Sequence, residues 1–326
     1  MKVLVTGGAG YVGSVITEEL LSAGHEPVLY DSLVNGHTAA IPPDVLVVRG
    51  DVRDTALFER TLREEHIEAV IHMAGLIEAG LSVKSPEQFF ATNVGGAASV
   101  CEAMCAVGVR RLVLSSTGAI YGNTNEAPFD EETPAHPENP YAESKLIAER
   151  MLASIAPARD LVCTSLRYFN AAGATERNGE AHNPETHLIP LVLQAAEQHA
   201  PFSIFGTDYP TPDGTTIRDY VHVADLAQAH LRALTREQSA LRIYNVGTGT
   251  GYSVRQVVDA ARAVSGVEFP IREEPRRPGD QIVSVARTER IRAELGWQPR
   301  HTDIHDILAS AWAWRQRHPH GYDERT

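Results

Sequence analysis

Tyr141 and Lys145 stand four residues apart behind Asn139-Pro140, a capping residue followed by a first-turn proline. A helix starting there sets a phenol and an ammonium one turn apart on a single face. Such a pair can take a proton from a hydroxyl if positive charge brings the phenol from its ordinary pKa of about 10 to about 7, which requires roughly 4 kcal/mol. One cation about 6 Å away, at an effective dielectric of about 20, supplies on the order of 3 kcal/mol. Thr117, which closes the run Ser115-Ser116-Thr117, is suited to sharing that proton with a substrate hydroxyl.

A second constellation opens the chain. Gly7, Gly10 and Gly13 lie three apart, and Gly8, Gly10 and Gly13 satisfy the looser Gly-x-Gly-x-x-Gly pattern. The apolar run Val3 to Val5 precedes them and a helix-like stretch follows, so the turn points backbone N–H groups and a helix dipole at a pyrophosphate. Asp31, 18 residues after Gly13, ends the next apolar run. A carboxylate there accepts from an adenosine ribose and repels a 2′-phosphate, which favours NAD over NADP. An oxidised nicotinamide ring would supply the remaining charge for Tyr141. Asp51-Val52 either borders the adenine or, through Asp51, caps the following helix.

The elements that must hold these residues are legible as alternating patterns. Apolar runs at 3–5, 28–30, 45–48, 69–72, 111–115 and 161–167 alternate with helix-like spacing at 12–23, 57–65, 89–108 and 141–155. That alternation predicts an α/β fold, a Rossmann-like doubly wound parallel sheet with crossover helices. Ligands in such sheets sit at the carboxyl ends of strands, which here carry Gly7, Asp31, Asp51, Ala74 and Ser115 to Thr117. From about Gly173 the chain turns to loops rich in Asn, Pro, His and Gly, with a helix at 188–199, and residues 243–247 read as a strand returning to the main sheet. The expected division is a nucleotide-binding domain of residues 1–172 plus about 239–262, and a smaller C-terminal α/β substrate domain of 173–238 plus about 263–326.

Composition narrows the partners. The 326 residues carry 42 acids against 29 bases, a net charge of −13, which argues against nucleic acid and anionic membrane and for a small-molecule ligand gripped by a few arginines. Three cysteines, Cys101, Cys105 and Cys163, show no metal-type pairing and suit a reducing compartment. Neither a signal peptide nor a run near the roughly 20 apolar residues of a membrane span is expected, so the location expected is cytoplasmic. No metal-ligand spacing connects His72, His187 and His222, and no metal is expected. Leu308, Trp312 and Trp314 have the spacing of a helix face packed in a core.

The chain resembles the extended short-chain dehydrogenase/reductase family, and within it the UDP-galactose 4-epimerase branch. The segments that carry the resemblance are Thr6 to Ser14, Ala74-Gly75-Leu76, Ser115 to Gly122, Tyr141 to Lys145, Arg167 to Asn170, Phe205 to Thr215, Arg218 to Val223, Asn245 to Gly249 and Arg276 to Asp280. The resemblance implies removal of hydride from sugar carbon 4 to tightly held NAD, a 4-keto intermediate that turns over, and return of hydride to the opposite face. By the same resemblance Thr117, Tyr141 and Lys145 are catalytic. Cofactor contacts fall to Gly7, Gly10, Tyr11, Val12, Asp31, Asn35, Asp51, Val52, Met73, Ala74, Gly75, Ser115 and Tyr168, together with Tyr141 and Lys145. Substrate contacts fall to Asn170, His187, Leu188, Ser203, Phe205, Arg218, Arg277, Asp280 and Ser284, beside Thr117 and Tyr141. A homodimer through the helices at 89–108 and 141–155 is also implied.

Departures are informative. Ile77 and Thr92 stand where many members carry lysine and asparagine, so two hydrogen bonds do not transfer. Ser284 replaces a bulky tyrosine that confines some members to hexoses without an N-acetyl group, so UDP-N-acetylhexosamines are admitted as substrates. Gly118-Ala119 follow the threonine where dehydratases carry an acid pair, which disfavours elimination. A UDP-uronate 4-epimerase and a non-catalytic NAD-binding module are the rival readings, and the joint presence of Thr117, Tyr141 and Lys145 argues against the second.

Overall fold

A computed structural model describes residues 1–124, 126–277 and 279–322. Its strands are β1 (Lys2–Thr6), β2 (Glu26–Asp31), β3 (Leu46–Arg49), β4 (Ala69–His72), β5 (Arg111–Thr117), β6 (Val162–Tyr168), β7 (Asn170–Ala172), β8 (Phe202–Phe205), β9 (Ile217–His222), β10 (Ala240–Val246), β11 (Gly251–Ser253), β12 (Ile271–Glu274) and β13 (Val283–Ser284). Its α-helices are α1 (Tyr11–Ser22), α2 (Thr55–Glu64), α3 (Ala79–Lys84), α4 (Pro86–Phe89), α5 (Gly96–Val107), α6 (Pro140–Arg159), α7 (Leu188–Gln198), α8 (Val223–Ala233), α9 (Val254–Ser265), α10 (Glu289–Leu295) and α11 (Ile304–Arg317).

Seven strands form one parallel sheet in the order β10-β6-β5-β4-β1-β2-β3. The order reverses between β1 and β4, and this switch point leaves a crevice outside their carboxyl ends. Val3, Leu4 and Val5 are fully buried, because helices cover both faces of the sheet. One face packs on α1 and α8 through Val15, Ile16, Leu20, Leu226 and Ala229. The other packs on α2, α5 and α6 through Phe58, Val100, Met104, Ala148 and Leu152, with Cys101 and Cys163 among them.

A second set of layers follows the main sheet. Strands β11, β9 and β13 form one small sheet to which β7 adds on β9, and β12 pairs with β8 in another. Helices α7, α9 and α11 close over them through Val192, Leu193, Val257, Ala261, Ile307 and Leu308. Of the two tryptophans assigned to a core face, Trp314 is buried while Trp312 packs at the edge of this cluster.

Packing distributes two helices differently from the sequence-based division. α8, which falls within 173–238, joins the main core, and α9, which starts within 239–262 and runs to Ser265, joins the second. The returning strand β10 lies in the main sheet, but the chain leaves at Val246 and α9 finds its partners in α7 and α11.

One expectation is corrected. The helical run Pro86–Val107 is 22 residues long and apolar enough to cross a membrane by length and composition, with 44% of its apolar window buried. A π-helical segment at Phe90–Gly95 interrupts it, and its inward side packs against α2 and α6. Its hydrophobicity therefore serves, in part, a sheet-covering face.

Candidate active site

At the switch point the glycine turn is shaped by close approach. Gly7 has φ +67°, and a Cβ there would stand 2.8 Å from the Ala74 nitrogen. At Gly13 a Cβ would stand 2.2 Å from the Gly7 carbonyl oxygen. Only glycine lets the turn press against both the β4 end and its own helix. Gly10 is the N-cap of α1 with no side-chain capping bond, and the first turn of a helix leaves its N–H groups without internal partners. Tyr11 and Val12 open that turn, with the Tyr11 hydroxyl donating to the Gly173 carbonyl at 2.6 Å.

Thr6 joins β1 to β4. Its Oγ1 hydrogen-bonds His72 Nδ1 at 2.8 Å and accepts from the Met73 and Ala74 amides at 3.1 Å each. Burial holds the His72 imidazole down at about 3, with the Lys145 ammonium adding to the effect. Asp31 is 7% exposed and accepts from the Ala9 amide at 2.9 Å and the Leu33 amide at 2.8 Å. Two backbone donors thus fix the carboxylate beside the glycine turn while lone pairs remain for hydroxyl donors. An uncapped helix start, a glycine cradle and a fixed carboxylate on the adjacent strand are the parts a dinucleotide requires, so the residues fit NAD.

Farther along the edge, β5 ends in Thr117 and β6 in Tyr168. Asn139 caps α6 by accepting from the Ala142 amide at 2.9 Å, with Pro140 next. Thr117 lies near enough to Tyr141 to act on its phenol, and its own Oγ1 accepts from the Ala119 amide at 3.1 Å. Lys145 is 4% exposed and donates from Nζ to the Ser115 carbonyl at 3.0 Å. Burial brings this ammonium down to about 8, against the opposing pull of the Glu149 carboxylate. Burial also raises Tyr141; Thr117 opposes that rise and the Glu78 carboxylate adds to it. The phenol is therefore protonated at neutral pH in this state, and activating it requires positive charge beyond what Lys145 supplies from its place on Ser115.

Gly75 lies beside this group, since a Cβ there would meet Asn93 Oδ1 at 2.8 Å and Lys145 Nζ at 3.3 Å. Asn93 was not singled out by sequence. It accepts from the Leu76 amide at 2.8 Å and donates to Ser144 Oγ at 2.9 Å, which anchors the start of α6. Its place in the π-helical segment beside Thr92, two residues before Gly95, is the signal that could have found it. Tyr168 donates to Met73 Sδ at 3.4 Å and hydrogen-bonds His230 Nε2 at 2.9 Å.

The remaining cofactor candidates are spread along the outer strands. Asn35 is exposed on the loop after β2, and Val52 is buried under α5, where a Cβ on Gly96 would meet it at 2.7 Å. The capping alternative for Asp51 is corrected: Asp54 caps α2 by accepting from the Leu57 amide. The Asp51 carboxylate instead accepts from Arg53, which holds it below the usual carboxylate range.

Opposite this edge a second group gathers on the small sheets. β9 brings Arg218 beside Ser284 of β13 in register, and Asn170 of β7 donates to the Asp219 carbonyl at 3.0 Å. Burial lowers the Arg218 guanidinium, with Asp280 and Arg277 both close enough to act on it. Arg277 stacks over the Phe205 ring at 4.8 Å and donates to Asp280 at 3.0 Å. Ser203 lies on β8 two residues before Phe205. Arg287 pairs with Asp130 at 3.7 Å.

Asp219, which sequence also passed over, ties the segments after β10 and β13 to β9. Fully buried, it accepts from the Thr248, Gly249 and Ala286 amides at 2.8, 3.0 and 3.1 Å and from the Thr248 hydroxyl at 2.7 Å. Leu188 opens α7 and His187 precedes it. Burial disfavours charge on His187, yet the Glu180 and Glu185 carboxylates outweigh it and hold the imidazole up at about 10. His222 accepts from the Ala224 amide at 3.1 Å and meets Ser310 at 3.0 Å.

Comparison with known proteins agrees with this geometry. The family described as NAD dependent epimerase/dehydratase matches residues 3–247. The UDP-glucose 4-epimerase of Corynebacterium glutamicum is 46% identical over 96% of this chain and 95% of its own length. A Stenotrophomonas maltophila UDP-glucose-4-epimerase, solved with NAD and formylated UDP-arabinopyranose, superposes with a TM-score of 0.94 at 39% identity, covering 98% of this chain and 99% of its own. The Bifidobacterium longum UDP-glucose 4-epimerase, solved with NAD+ and UDP, gives 0.93 at 36% identity over 99% of this chain and 100% of its own.

Proposed function

Since this chain belongs to the NAD dependent epimerase/dehydratase family, we propose that it is an isomerase that interconverts UDP-glucose and UDP-galactose by inverting sugar carbon 4. The observation that carries the reading is Tyr141 one turn before the buried Lys145 on α6, with Lys145 held on the Ser115 carbonyl at the same strand edge as the uncapped start of α1.

Bound NAD supplies a hydride acceptor that is also the donor on return, with a ring charge that favours the phenolate. The glycine turn and the first amides of α1 would hold its pyrophosphate and Asp31 its ribose. Tyr141 would accept the carbon 4 hydroxyl proton, and Thr117 would share it with the substrate hydroxyl. Lys145 stabilises the phenolate. The 4-keto sugar turns about its diphosphate link, which Arg218 and Arg277 retain through charge-assisted hydrogen bonds. Tyr141 would then return the proton to the carbon 4 oxygen, and because the same NAD would act as hydride acceptor and donor, the conversion carries no net redox change. Asn170, His187, Leu188, Ser203, Phe205 and Asp280 complete the proposed substrate side.

Ser284 is 4% exposed and adjacent to Arg218 in register, and its small side chain supports acceptance of UDP-N-acetylhexosamines as well. The apolar run Pro86–Val107, less than half buried, supports a homodimer formed through it and α6. A cytoplasmic location accords with three free cysteines. The test is incubation of the purified protein with UDP-galactose and measurement of UDP-glucose. Product is expected from the wild type and is lost about 10²- to 10⁴-fold in Tyr141→Phe. No product from cofactor-replete wild type overturns the reading.

A further inference from the structure

The sequence was expected to hold no metal grouping, yet the loop between β7 and α7 gathers four ligating side chains within eight residues. One nitrogen from each of His182 and His187 and one oxygen from each of Glu180 and Glu185 lie within 4.8 Å of one another. We propose that these four residues form a binding site for one divalent transition-metal cation of the zinc class.

The separations match the polyhedron. Ligands held about 2.0–2.1 Å from a tetrahedral zinc lie about 3.3 Å apart along each edge. Here His187 Nδ1 stands 2.7 Å from Glu180 Oε1 and 3.2 Å from Glu185 Oε1. His182 Nδ1 stands 3.2 Å from Glu180 Oε1 and 3.8 Å from Glu185 Oε2. These contacts bracket the ideal edge, but the two histidines face different oxygens of Glu185, so that carboxylate must turn to offer one oxygen to a common ion.

A second observation points into the same space. His182 Nδ1 is sealed from solvent and makes no hydrogen bond of acceptable geometry, although it faces two carboxylates. In the tautomer that leaves this nitrogen unprotonated it has a lone pair without a donor, and a cation at the centre of the cluster would use it. Two imidazoles and two carboxylates suit zinc, cobalt or nickel, whereas magnesium and calcium prefer oxygen alone. The two carboxylates also neutralise the charge of a divalent ion.

The cation would act as a staple. Glu180 is 7% and Glu185 15% exposed, while His187 at 48% leaves an entry path. His182 packs edge-on against Tyr11, centroids 6.3 Å apart, at the start of α1, and His187 directly precedes α7. One ion would therefore bind the loop to itself, over the glycine turn on one side and at a helix start on the other.

The inference does not depend on the epimerase reading, and its test does not use activity. Protein without a histidine tag is stripped with a chelator and titrated with Zn2+ against a chromophoric competitor, then loaded separately with Co2+. One equivalent of zinc and the intense visible bands of four-coordinate cobalt are expected. Glu180→Gln and His182→Asn should each weaken zinc by more than about 100-fold, since loss of an outer-shell partner alone costs about 10- to 100-fold. Thr186→Ala, in the same loop but without a ligand, should bind as the wild type does. Absence of stoichiometric zinc overturns the proposal, as does unchanged affinity in the two ligand variants. The weak bands of six-coordinate cobalt in the wild type would overturn it without any variant.

Discussion

The carboxyl edge of the main sheet and the small-sheet side that faces it are built on opposite principles. On the sheet edge Thr6 is partnered with His72, Lys145 with Ser115, and Asn93 with Ser144 and Leu76. On the other side Arg277, with its side chain 57% exposed, is held by a single carboxylate and an aromatic face. The contrast follows from the ligands each side is proposed to hold. A resident cofactor asks for a fixed mould of amides and glycines, whereas a diphosphate that arrives and departs asks for cations left short of compensating charge.

Four measurements would break or sharpen that contrast. The largest effect is expected from Tyr141→Phe, which removes the proposed base from the fixed side: kcat should fall about 10²- to 10⁴-fold with KM little changed. A comparable rise in KM would mean that the phenol chiefly binds. Next is acid. Burial keeps His72 neutral down to about 3, and His222 and His230 down to about 4, against about 6.5 in an unfolded chain. The unfolded state therefore binds protons that the folded state refuses. The stabilisation is fully present above about pH 6.5 and is lost as pH falls toward 4. At pH 5 each imidazole should cost about 2 kcal/mol relative to pH 7. Urea midpoints at the two values check this, and equal midpoints would show that these imidazoles are charged when folded.

Arg277→Ala should raise KM for UDP-galactose about 10- to 100-fold, the equivalent of roughly 1.5–3 kcal/mol for a charged hydrogen bond, and leave bound NAD per chain unchanged. Loss of cofactor in that variant would erase the division between the two sides. The smallest effect on the hexose reaction is expected from Ser284→Tyr, which should abolish turnover of UDP-N-acetylgalactosamine and spare UDP-galactose within a few-fold. Equal loss of both would mean that position 284 governs folding of β13 and not substrate choice.

What the sequence disclosed and what it withheld divide by contact range. The glycine turn, the Asp31 strand end and the Pro140 helix start are local patterns, and their elements form where periodicity and capping place them. The seven-stranded sheet follows from the same alternation. Asp219 looked like one acid in a motif, because its three amide donors lie 29 to 67 residues away. The Thr6–His72 bond spans 66 residues and was hidden for the same reason. Glu180 to His187 are local, yet their order in the chain follows no zinc-type spacing, and only the fold of the loop brings the four side chains together. α8 and α9 carry amphipathic faces whose spacing reveals a buried side without revealing what buries it.

The carboxylate of Asp219 has a thermodynamic consequence. It gathers amides from the segment after β10 and from the segment after β13 onto β9, and the chain threads between both cores several times to reach them. Neither core can melt while the other keeps its hydrogen bonds, so calorimetry should record one transition with matching calorimetric and van't Hoff enthalpies, and amide exchange at Thr248, Gly249 and Ala286 should wait for global unfolding.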